Sequence, residues 1–125
     1  MTFLQHRFNR YADSFTHNDD DVRKNILLKK DHSRRVAGEI LFIGEKLGLS
    51  SPGMRMAELV ALFHDVGRFQ QYVTWRTFAD HRSENHALLG VRVLREEALL
   101  EGVDKELKEL IYRIISYHNR ASVPE

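Results

Sequence analysis

Residues 61–69 read ALFHDVGRF, an apolar run that breaks into a histidine–aspartate doublet. Upstream, Met56, Leu59, Val60 and Phe63 fall on one face of a helix, entered through Ser51 as cap and Pro52 as first helical residue. His64 ends that stripe, and Gly67 is the expected end of the helix. Neighbouring residues on one continuous helix point about 100° apart. At a helix end the backbone leaves that path, so His64 and Asp65 could both turn toward one ion. A carboxylate at a helix C-terminus faces an unfavourable dipole, which argues against an idle Asp65 on a solvated helix end.

The same periodicity extends outward in both directions. Leu4, Phe8, Tyr11 and Phe15 mark an amphipathic N-terminal helix. Asp19, Asp20 and Asp21 offer a cap and negative first-turn charge for a second helix from about Val22 to Gly48. There Ile26 and Leu28 precede the stripe His32, Val36, Ile40, Ile43 and Leu47, and a break near Lys30–Asp31 is allowed. Residues 68–82 have no clean period and read as a loop with a short turn. Ser83 is the expected cap of a helix whose inner face is His86, Leu89, Gly90, Val93 and Leu94, stopped by Gly102. Asp104 caps a last helix carrying Leu107, Ile111, Ile114 and His118. No stretch alternates convincingly as a strand. The expectation is one all-α domain over residues 1–125, with five or six helices.

Composition narrows the chemistry. The 125 residues hold 19 Lys+Arg and 18 Asp+Glu, a net charge of +1, so no global excess points to nucleic acid or an anionic membrane. The start, MTFLQHRFNRYADSF, is interrupted by His6, Arg7 and Arg10 and has no apolar signal core. No apolar run approaches the ~20 residues of a membrane span. A cytoplasmic protein is expected. The absence of cysteine excludes a disulfide scaffold, an iron–sulfur cluster and a thiol nucleophile. Any metal must be held by imidazole and carboxylate.

Seven histidines are present, and four of them sit on or end an apolar stripe: His32, His64, His86 and His118. His6, His17 and His81 do not and read as surface residues. A lone histidine on an apolar face is usually a core residue with one hydrogen bond. Four on four helices are different, because each buried unpaired imidazole costs about 1–3 kcal/mol. A metal takes up the lone pair of each. With Asp65 the five ligands exceed one four-coordinate site, and two ions about 3.5–4 Å apart use them better.

The ordered series is His32 in KKDHSRRVA, His64-Asp65 in ALFHDVGRF, His86 in SENHALLG and His118 in ISYHN. It resembles the HD superfamily of metal-dependent phosphohydrolases, over about residues 25–119. The resemblance implies an HD-type helical bundle. It implies that His32 and His64 hold one divalent metal, that His86 and His118 hold a second, and that Asp65 bridges them. The ions could be Fe, Mn, Zn, Ni, Co or Mg. It further implies hydrolysis of a phosphorylated small molecule or nucleotide by metal-bridging water, with Asp65 in the catalytic centre. Di-iron oxygenases of the same fold and degenerate HD interaction or signalling modules are the alternatives. A homo-oligomer is compatible with all three.

The family pattern closes with an aspartate on a later helix, which completes the first metal site. Only NRASVPE follows His118, with Glu125 and no Asp. The expectation is therefore a C-terminally truncated domain; a ligand from a partner chain or an altered site are the other options. Arg68, three residues after Asp65, is a candidate grip on substrate phosphate, and a surface arginine at a loop start is equally compatible. Lys29, Lys30, Arg34 and Arg35 read as a solvated basic face, and Phe69, Tyr72, Trp75 and Phe78 as aromatic cover for the core. Gly38 and Gly90 read as close-packing positions inside helices. Asp80 and His81 are polar residues near the site, with a supporting or substrate role as the lesser reading.

Overall fold

A computed structural model describes residues 2–15 and 18–121. Among these lie six α-helices, one short 3-10 turn and no strand: α1 (Phe3–Asp13), α2 (Asp20–Leu47), α3 (Ser51–Phe63), α4 (Gly67–Trp75), α5 (His86–Glu96) and α6 (Lys105–Ala121), with the 3-10 turn at Asp80–Arg82. The all-α expectation holds. His17 and Glu125 lie outside the described residues.

Local chemistry sets the helix ends. Thr2 and Gln5 form a reciprocal capping box at α1. Asp19 Oδ1 accepts from the Asp21 and Val22 amides at 2.8 and 3.2 Å, satisfying two of the free donors that start α2. That helix runs unbroken through Lys30–Asp31 and stops at Gly48, whose φ of 71° is the left-handed conformation that glycine reaches without steric cost. Ser50, one residue before the expected cap, accepts from the Gly53 amide. At α5 the cap is Asn85, which accepts from Ala87 and Leu88, and not Ser83. Asp104 caps α6 as expected.

One expectation is overturned outright. Gly67 does not end a helix; it begins α4, and residues 68–75 are helical. The aperiodicity has a physical reason, because α4 is enclosed on more than one side. Phe69 is fully buried among the Phe8, Tyr11 and Phe15 rings, while Gln71 is fully buried on another face.

Helix α3 packs along α2 and against α6, α5 packs between α4 and α6, and α4 also touches α2. Phe8, Phe63, Phe69, Leu89, Leu94, Leu100, Ile111 and Ile115 form the fully buried centre. Phe8 meets Phe63 edge-on at 5.7 Å, and Tyr11 and Phe15 extend the aromatic group toward Phe69. The second half of α2 departs from the expected stripe: Ile43 and Leu47 are 50% and 73% exposed. Gly38 has nothing within 4 Å of where a Cβ would sit, so close packing does not explain it. Gly90 does pack closely, against Gly67 and Val66.

Candidate metal centre

The α3–α4 corner builds the site. After Phe63 the chain makes one tight turn, with the Val66 amide bonded to the Phe63 carbonyl and the Arg68 amide to the Asp65 carbonyl. Asp65 therefore follows the C-terminus of α3 and also precedes the N-terminus of α4. The second dipole favours its charge, which offsets the unfavourable first one. Gly67 then lets α5 come close. A Cβ there would lie 2.4 Å from the His86 carbonyl oxygen and 2.6 Å from the Gly90 nitrogen. Only a residue without a side chain allows α5 to start beside Asp65, and His86 is its first residue.

Asp65 is the centre of the arrangement. Its Oδ2 lies 3.4 Å from His64 Nε2 and 4.0 Å from His32 Nε2. Its Oδ1 lies 3.4 Å from His86 Nε2 and 3.5 Å from His118 Nε2. Two groups of potential ligands result, His32–His64–Asp65 and Asp65–His86–His118, and they share the carboxylate. The structure thus brings together all five residues singled out as ligands. Among the described residues, no further His, Asp or Glu joins either group.

Hydrogen bonds fix how three imidazoles point. His64 Nδ1 donates to the Ala61 carbonyl at 2.8 Å, and His118 Nδ1 donates to the Ile115 carbonyl at 2.6 Å. His86 Nδ1 donates to the Asp80 carboxylate, 3.0 Å from both oxygens. Carbonyls and carboxylates only accept, so each Nδ1 carries the hydrogen and each Nε2 presents its lone pair inward. His86 Nε2 and His118 Nε2 then face each other at 3.0 Å, with Asp65 Oδ1 beside both. Three acceptors converge with no donor among them unless one imidazole is protonated. A cation is the natural complement. Ligand atoms about 2.1 Å from one ion are separated by about 3.0 Å on an octahedral edge and about 3.4 Å on a tetrahedral one, which the observed separations match.

Electrostatics agree. Burial alone would raise the Asp65 pKa, but the surrounding His118, His86 and His64 imidazoles and the Arg68 guanidinium outweigh it, so the carboxyl lies well below its usual range. Burial holds the His64 pKa below that of a free imidazole, against the pull of Asp65. Burial opposes the charged form of His118 too, yet the Asp65 carboxylate and the Ile115 carbonyl prevail and its pKa is raised.

Arg68 lies on the α4 side of Asp65. One guanidinium nitrogen is committed to the Phe78 carbonyl at 2.7 Å and to Gln71 Oε1 at 2.9 Å. Its buried Nε has no hydrogen-bond partner among the described residues and sits 3.9 Å from Asp65 Oδ1. Lys29, one helical turn before His32, lies 4.8 Å over the Phe78 ring, and burial lowers its pKa. That placement differs from a solvated basic face. Lys30 pairs with Asp13, and Arg34 and Arg35 are exposed as expected. His6 and His81 are exposed too, and Trp75 is 38% exposed, so it covers little of the core.

Gln71 is the residue that sequence reasoning missed. It is fully buried, and its Nε2 donates to Asp80 Oδ1 at 3.0 Å and Ser83 Oγ at 2.9 Å. The only available signal was its spacing of three from Arg68, legible once α4 is known to be a helix.

The HD domain family model matches residues 30–125. Neither the curated proteins nor the solved structures compared with the chain give a match. The family match spans more than half of the chain and contains every proposed ligand, so the chain belongs to the HD domain family.

Proposed function

We propose that this protein is a metal-dependent phosphohydrolase acting on a phosphorylated small molecule or nucleotide. The observation that carries the reading is the convergence of His86 Nε2, His118 Nε2 and Asp65 Oδ1 with no donor among them, beside a second group that shares Asp65. His32, His64, His86, His118 and Asp65 are the residues that would hold divalent ions. When bound, such ions lower the pKa of water toward neutrality and stabilise charge on an attacked phosphoryl group.

The chain's own residues supply the rest. Asp65 keeps its negative charge through the physiological range, since its pKa is depressed. The carbonyls of Ala61 and Ile115 hold His64 and His118 in the tautomer that ligates. Arg68 places its guanidinium beside Asp65, where its charge would favour an anionic phosphoryl group. Lys29 adds a second cation on the same side, and among the described residues no ion pair holds it. No side-chain nucleophile is required, in keeping with a chain that has no cysteine.

The test is metal analysis of anaerobically purified protein, followed by a screen of phosphate monoesters, diesters and nucleotides with the metal found. Phosphate release that chelator abolishes is expected, with Asp65→Asn lowering kcat/KM by about 100-fold or more. A metal-loaded protein that releases no phosphate from any class would overturn the reading. Turnover that requires both iron and oxygen would replace it with an oxygenase.

A further inference from the structure

The two halves around Asp65 are built to different standards. In the Asp65–His86–His118 half, the three ligand atoms lie 3.0 to 3.5 Å apart, already the spacing of ligands around one ion. Both imidazoles are held by Nδ1 hydrogen bonds, and His86 is buried. In the other half, His32 Nε2 is 4.0 Å from Asp65 Oδ2 and its side chain is 39% exposed. Among the described residues no hydrogen bond holds the His32 ring.

The tighter half also has a brace behind it. Asp80, on the 3-10 turn, accepts from His86 Nδ1. Gln71 holds Asp80 in turn, and its amide cannot be reversed. A carboxylate can only accept and a guanidinium can only donate, so Gln71 Nε2 must face Asp80 and Oε1 must face Arg68. Ser83 Oγ and the Glu84 carbonyl take the remaining amide hydrogen. A fully buried amide with both ends satisfied is rigid, because each lost partner would leave a desolvated polar atom. A carboxylate behind a ligating imidazole also raises its basicity.

Resting on the metal-dependent reading above, we infer that the halves fill in order: the first divalent ion enters the Asp65–His86–His118 half, and Asp80, braced by Gln71, is the positioning residue that makes this half the tighter one. His32 and His64 then hold a second, weaker ion that depends on Asp65 already being set.

Calorimetric titration of the metal-free protein with Mn²⁺ alone tests this without recourse to turnover. Two binding steps separated by at least about tenfold in Kd are expected. His32→Ala should remove the weaker step and keep the tighter; His118→Ala should remove the tighter. Asp80→Asn keeps the shape but removes the charge and one acceptor, and should weaken the tighter step by about 10–100-fold. Nitrogen-15 imidazole NMR of the same metal-free proteins gives a second readout: His86 carries its proton on Nδ1 in the parent and shifts toward Nε2 in Asp80→Asn. Loss of the tighter step in His32→Ala, or an unchanged titration and tautomer in Asp80→Asn, would overturn the inference while leaving a metal-dependent protein in place. No Mn²⁺ binding at all would sink the metal-dependent reading itself, and the inference with it.

Discussion

Two helical segments of this protein are similarly rich in apolar residues and meet opposite fates. The α3–α4 corner, from Phe63 to Phe69, is closed: Phe63, Val66 and Phe69 are all 0% exposed. The second half of α2 is open: Phe42 is 63% and Leu47 73% exposed. The contrast teaches that an apolar stripe states what a helix can bury, while the neighbours decide what it does bury. The corner has α1, α2 and α5 around it. Beyond Gly38, α2 stays on α3 through the buried Gly44, which faces Met54, while Phe42, Ile43 and Leu47 find no cover. A cleft of about 410 Å³ lies between the middle of α2 and α1 and α3. The cluster of candidate metal ligands sits on the closed side for a physical reason. Buried imidazoles and carboxylates need partners fixed to a fraction of an ångström, and only close packing supplies them.

The largest break in this contrast should come from Phe69→Ala. The ring lies within about 6 Å of the rings of Phe8, Phe15 and Tyr11, so its removal opens a cavity that several elements share. A loss of about 3–5 kcal/mol in urea unfolding is expected. A loss below about 1 kcal/mol would mean that the corner is not close-packed.

Gly67→Ala should rank next. The added methyl meets backbone, not a flexible side chain, so α4 and α5 must separate. A destabilisation of about 3 kcal/mol is expected, at the upper end for overpacking. Mn²⁺ affinity should fall as well, because the displaced residue is His86. Gly90→Ala, on the opposite side of the same contact, sharpens the point. There the nearest atom to a new Cβ is 3.4 Å away, an ordinary contact. Its cost should stay below about 1 kcal/mol, since relief of the glycine penalty inside a helix offsets it. Equal effects from the two substitutions would contradict the close approach at Gly67.

How much of this was legible in the residues follows from the same contrast. Three of the candidate ligands were readable because they sit on or end a stripe that the bundle does bury: His64 after Phe63, His86 with Leu89 and Val93, His118 with Ile111 and Leu107. The His32 stripe is covered only in part, through Val36 and Ile40. The helix over residues 67–75 was not readable, because burial on several faces erases the 3.6-residue period. Gly67 was misread for a related reason. A glycine after an apolar run looks like a stop signal, whereas here the demand for glycine comes from α5, far away in sequence. Gln71 belongs to the same class: its partners lie across elements, and its spacing from Arg68 speaks only once α4 is a helix. Asp80 was legible as a candidate for a supporting role, while its partner His86 was not, because the two lie on different elements. Ile43 and Leu47 fail in the opposite sense, with a correct period and nothing to cover it.

The smallest effect should come from that open face. Leu47→Gln replaces a side chain that is already 73% in water, on the last residue of α2. Little apolar area returns to solvent, and glutamine has nearly the helix propensity of leucine. The change in stability should stay within about 0.5 kcal/mol, and Mn²⁺ binding should not move. A loss above about 1.5 kcal/mol in thermal or urea unfolding would show that this face is covered in solution, and the contrast with the closed corner would then have to be withdrawn.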